Sequence, residues 1–205
     1  MSKLVFSLLF MTTTVIACNN NSDNSGHEMD SMQEENASGM HDGNGSEKEI
    51  KTIAVTFSET DPGVNSFMKS VTGDYLSIKN ALVSAQVSEA RTSAAAMQAS
   101  LKNFDKSTLT AEQKKVFDES ETGLKESSLM ISEENDLEKQ RSHFVHLSKY
   151  MLNMVQAFGA GMTLYQDHCP MYQDGSDWLS ETKEIRNPFY GDKMMTCGSP
   201  VGMIK

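Results

Sequence analysis

Two short sulfur-rich runs near the end of the chain carry its most specific chemistry. The first is His168-Cys169-Pro170-Met171 and the second is Met194-Met195-Thr196-Cys197-Gly198. Thiolate and thioether sulfurs are soft ligands, and they select Cu(I) over harder ions. In an extended strand, Cys169 and Met171 point to the same side. Met194 and Cys197 are three apart, a spacing that a turn brings together, whereas Met195 and Cys197 would share a face in a strand. Two cysteines and two methionines can therefore converge, and Cys169, Met171, Met194 and Cys197 are the candidate metal ligands. Met195 and His168, which adjoins Cys169, are further candidates. Silver has the same softness. Zinc would take both cysteines but would add histidine rather than methionine.

The same cysteines allow a second reading. In an oxidising compartment they can form a disulfide, which on the loop-entropy model stabilises by about 3 kcal/mol. A disulfide does not need the methionines beside each cysteine, and this favours the metal. The pair is not a C-x-x-C unit near a βαβ pattern, so a thiol–disulfide oxidoreductase is the weaker alternative. No Ser/His/Asp order, phosphate-binding glycine loop or paired-carboxylate motif stands out, so the expectation is a binding protein and not an enzyme.

The chain also contains the features of an exported, anchored protein. It has 205 residues, a formal charge of −10, and 15 Met against 9 Phe and 1 Trp. Lys3 and the apolar run from Leu4 to Met11 form an export signal too short to span a bilayer. It ends Val15-Ile16-Ala17-Cys18, which resembles the lipobox of bacterial lipoproteins. The resemblance implies cleavage after residue 17 and acylation of Cys18. Asn19 is not the Asp that signals inner-membrane retention, so the expected location is the outer membrane of the cell envelope, facing the periplasm. Residues 18–49 are rich in Asn, Ser, Asp, Gly and Glu and cannot form a core. They read as a tether, in which His27, Met29, Met32, Met40 and His41 form weak soft-metal patches. A strongly acidic chain without clustered Lys and Arg excludes nucleic acid as a partner.

Residues 50–205 must build the scaffold for the sulfurs. Val64, Phe67, Val71, Tyr75, Ile78 and Leu82 recur at helical spacing behind Asp61-Pro62. A second stripe runs from Val87 to Phe104, with the break near residues 84–88. Thr110 and Gln113 form a capping box for a third helix. Asn135 and Glu138 read as another, opening a fourth helix that Gly159 and Gly161 end. Short connections predict an antiparallel four-helix bundle. His143 lies at the edge of the fourth stripe and is a more remote candidate ligand; His146 points away from it. Beyond Gly161 the helical period disappears. The segment is expected to be irregular, with a short strand around residues 162–165.

The runs Tyr75–Leu82, Gln140–Ser148, Trp178–Ser180, Ile185–Gly191 and Lys193–Gly198, together with H-C-P-M, resemble a bacterial domain of unknown function, number 3347. The resemblance extends over roughly residues 62–204. It implies a helical bundle and heavy-metal handling, with Cys169, Met171, Met194 and Cys197 as the carried-over ligands and heavy-metal efflux components as partners. Met195 stands where the pattern has Leu. The module also ends the membrane-fusion proteins of copper and silver efflux pumps, but this chain has no room for their other domains. Trp178, Asn187, Pro188 and Tyr190 read as structural residues that hold the two cysteine arms together.

Replacing Cys18 with Ser should release the protein from the membrane fraction. Persistence of the variant in washed membranes would exclude the lipid anchor.

Overall fold

The computed structural model describes residues 50–205. The export signal, Cys18 and the tether, with His27, Met29, Met32, Met40 and His41, lie outside the described residues. The described chain is mainly helical, with four helices and one small four-stranded sheet. The helices are α1 (Pro62–Val83), α2 (Val87–Asn103), α3 (Ala111–Glu133) and α4 (Leu137–Phe158). The strands are β1 (Thr52–Ile53), β2 (Leu164–Cys169), β3 (Ser176–Ser180) and β4 (Ser199–Ile204). None of these helices is long and apolar enough to cross a membrane.

The helix ends follow from local chemistry. Asp61 accepts from the Gly63 N–H at 2.7 Å, with Pro62 at the first helical position. Thr110 and Gln113 make the reciprocal capping box at 3.2 and 3.0 Å. The cap of α4 differs from expectation, because Asp136 takes the Lys139 N–H at 2.9 Å. A carboxylate three residues before that N–H suits the positive helix end. Asn135 instead accepts from Arg91, at 2.7 Å. Gly159 ends α4 with φ +74°, a conformation that glycine adopts without strain.

Each helix buries the stripe expected of it, including Val71, Leu82, Met97, Leu124, Leu147 and Met151. Phe67, Phe104 and Phe117 stack at one part of this core. A second aromatic row runs Tyr75, Phe144, Phe189, Trp178, with centroid spacings of 5.1, 6.0 and 5.7 Å. That row joins the helices to the C-terminal segment.

The C-terminal segment is more regular than expected. Its sheet has the order β1-β4-β2-β3, with β2 antiparallel to both β3 and β4. β1 precedes all four helices in the chain and pairs in parallel with β4 through Thr52 and Met203. Pro200 sits opposite Asp167, where the ladder is irregular. Proline has no N–H to give, so an irregular position is where β4 can hold it.

The inner face of the sheet meets α1 through buried polar groups. The Tyr75 hydroxyl lies 2.8 Å from Ser148 Oγ on α4 and accepts the Leu179 N–H of β3 at 3.0 Å. One turn further along α1, Lys79 is 2% exposed and donates to Glu181 at 2.6 Å. Asp167 is fully buried close to this pair, and neither of its carboxylate oxygens has a hydrogen-bond partner among the described residues. Burial raises its pKa from 3.8 to about 7, with Lys79 pulling it down and Glu181 pushing it up.

This shift has a definite sign. Between pH ~4 and ~7 the folded protein holds a proton on Asp167 that the unfolded chain has lost. The contribution of Asp167 to stability should therefore fall as pH rises through that window and level off above it. Asp167→Asn should flatten this slope and be more stable than the parent at pH 8, by at most about 4 kcal/mol. Denaturant melts at pH 4, 6 and 8 measure it. An Asp167→Asn variant whose stability differs from the parent's by the same amount at all three pH values would exclude this account.

Candidate functional site

The register of β2 against β4 brings the two cysteines together. His168 pairs with Ser199, so Cys169 at the end of β2 lies beside the residues leading into β4. The Cys169 and Cys197 sulfurs are 2.8 Å apart, and both are free thiols. Cys169 is fully buried in the core, whereas Cys197 is partly exposed.

A hydrogen-bonded arm holds Cys197 independently of its sulfur. The Cys197 N–H donates to the Met194 carbonyl at 3.0 Å, closing the turn that the three-residue spacing predicts. Asn187 is fully buried and organises the rest. Its Nδ2 donates to the Cys197 carbonyl at 2.7 Å, and its backbone N–H donates to Met195 O at 2.8 Å. Its Oδ1 accepts from Phe189 and Tyr190 at 2.8 and 3.1 Å. Gly198 follows with φ +130°, where a Cβ would come within 2.8 Å of the Trp178 ring and 2.9 Å of the His168 carbonyl. Only glycine fits this approach. Trp178, Asn187 and Tyr190 thus shape the site without offering a ligand.

The remaining candidates are placed unequally. β2 stops at Cys169, so the alternation expected to aim Met171 alongside it does not reach Met171. Pro170 and Met171 form a turn instead, and the Met171 side chain is 61% exposed. Its backbone N–H faces the Cys197 sulfur, and its carbonyl accepts from the Tyr190 hydroxyl at 2.9 Å. Met194 and Met195 are half-buried in the Cys197 arm. His168 lies between Asp167 and Cys169, both buried, and is itself half-exposed on the other side of the strand. Its Nδ1 meets Asp177 at 2.6 Å, beside a cleft with Lys149 and Asn153 from α4. His143 is half-buried on α4.

Burial pushes the Cys197 thiol up to about 11, and the neighbouring Cys169 adds to the shift; the Met171 N–H opposes it. The thiol is therefore protonated at neutral pH. Among the described residues, no three His, Cys, Asp or Glu side chains converge on one point.

Sequence reasoning missed the buried charges that support the site. Arg141 is 1% exposed and donates to the Leu82 carbonyl at 3.0 Å and to Glu138 at 3.0 Å. Gly191, in the Cys197 arm, packs against its guanidinium. Lys79 lies four residues after Tyr75 and three before Leu82, a spacing that already put it on the buried stripe.

Asn187→Ala should cost about 2–4 kcal/mol, because it leaves a buried carbonyl and two N–H groups without partners. It should also speed alkylation of both cysteines in the folded protein. Unchanged alkylation would mean that Asn187 does not hold the arm.

No curated protein and no solved structure matches the chain. A family match covers residues 71–163, within α1 to just before β2. It is narrower than the resemblance over 62–204, and both cysteines lie beyond it. Residues 71–163 match the model of the family described as protein of unknown function, DUF3347.

Proposed function

We propose that this protein is a non-enzymatic envelope lipoprotein that takes a soft metal ion, Cu(I), as cargo for sequestration or delivery to efflux components. One observation carries the reading. The two thiols are brought face to face by hydrogen bonds, from the Asn187 side chain and along the backbone, that do not need the sulfurs. Such preorganisation is what a metal site requires of its scaffold. Cys169 and Cys197 are the anchoring ligands, with Met194 in the same turn and Met171 at the rim. Silver fits the same softness, and zinc would use the cysteines alone. The reading takes the helices as an antiparallel bundle, since connections of a few residues join α1 to α2 and α3 to α4.

The sulfur separation favours a second reading as well. Two thiolates on one ion stand about 3.7–4.6 Å apart, because each lies about 2.3 Å from the metal. A disulfide needs about 2.05 Å. The two sulfurs are in contact, so the same two arms serve either state. Metal and disulfide therefore compete for the same sulfurs.

The reduced protein should bind about one Cu(I) and thereby protect both thiols from alkylation. The oxidised protein should bind far less. Met194→Leu keeps nearly the same volume and should weaken binding, while the metal-free form melts within about 1.5 kcal/mol of the parent. A reduced parent that takes up no Cu(I), and whose two cysteines are bonded as isolated, would leave the structural disulfide as the account of the pair.

A further inference from the structure

We propose that Met171 is the entry ligand of the sulfur site: its thioether captures Cu(I) from a donor and passes it to Cys197, without holding the ion at equilibrium. This rests on the soft-metal reading above and adds a route and a kind of partner to it.

Among the described residues, Met171 is the most exposed large hydrophobic side chain, at 61%. Cys197 is partly exposed and Cys169 is fully buried. An ion arriving from solvent meets these groups in that order. An exposed methionine adds little to the core, so packing does not account for it. The backbone, by contrast, is fixed. The Met171 carbonyl is held by the Tyr190 hydroxyl at 2.9 Å, and its N–H faces the Cys197 sulfur. The root of the side chain is thus pinned beside the receiving thiol, while its three rotatable bonds let the sulfur swing between solvent and Cys197.

The chemistry is ligand exchange, and copper remains Cu(I) throughout. A donor–copper bond breaks as the Met171 sulfur bonds to copper. The Cys197 sulfur then replaces Met171, and its thiol proton leaves to water. The fully buried Cys169 completes the pair and loses its proton in the same way. The partner that fits is a donor or acceptor offering Cu(I) on few, exposed soft ligands, so that a shared intermediate can form. A thioether is suited to this step because it is neutral, so copper can leave it without a proton being taken up.

The test separates rate from affinity. Reduced full-length protein in detergent is mixed with Cu(I) presented as its bicinchoninate complex, whose colour is lost on transfer. Met171→Leu should slow transfer about tenfold while the affinity at equilibrium stays within about twofold. Release back to the chelator must then slow by the same factor, since a ratio of unchanged affinity links the two rates. Met171→His restores a ligand at this position and should restore fast transfer. Met194→Leu should show the opposite pattern, with affinity lost. An unchanged rate in Met171→Leu would overturn the entry role, as would a loss of affinity with faster release, which marks a resident ligand. A parent that takes no Cu(I) at all would overturn the soft-metal reading itself, an outcome distinct from both.

Discussion

The seat of the sheet on the helices centres on one buried hydroxyl group. Tyr75 on α1 meets Ser148 of α4 and the Leu179 N–H of β3 at once. β3 is an edge strand, and its inner face would otherwise bring a backbone donor into an apolar core. A single buried hydroxyl satisfies that donor and fixes how far the sheet stands from α1 and α4. Lys79 and Glu181 repeat the connection one helical turn on, with Asn80 reaching the second Glu181 oxygen at 3.0 Å. Buried polar links of this kind contribute little net stability when satisfied but cost much when broken. They specify one seating of the sheet over its alternatives.

The sulfur pair follows from that seating. β3 lies on α4, β2 pairs with β3, β4 pairs with β2, and the register of His168 with Ser199 brings Cys197 up to Cys169. The arm before β4 is fastened separately, at Asn187 and through Gly191 against Arg141. Two long-range constraints therefore meet at the thiols. Burial and the neighbouring Cys169 push the Cys197 thiol up, so on the proposed soft-metal reading a metal would compete with a proton and an oxidant for one sulfur. On that proposal a soft metal would displace the proton, and uptake would depend on pH.

The candidate site was legible in part. The types Cys169, Cys197 and Met194, and the turn between the last two, follow from residues three apart in the chain. The placement of Met171 does not. Strand alternation predicts that it joins Cys169, but β2 ends one residue before Pro170 and the chain turns. Nor does the spacing show that His168 turns to Asp177, because Asp177 comes from the next strand. β3 and β4 were hidden by composition. The run S-D-W-L-S does not alternate, and S-P-V-G-M-I carries the proline and glycine that argue against a strand.

The sequence by itself determined the four helices, the N-caps of α1 and α3, the glycine end of α4 and the stripes they bury. These rest on hydrogen bonds and contacts between residues three or four apart, which any local stretch reports. Asp136 displaced Asn135 as a cap through a difference of one residue in the same turn, near the limit of such local evidence. Tertiary structure alone decided the sheet order, the parallel pairing of Thr52 with Met203 and the burial of Lys79, Arg141 and Asp167. It alone set the two thiols 2.8 Å apart. Each of these joins residues far apart in the chain, and their energy depends on partners that no local window contains.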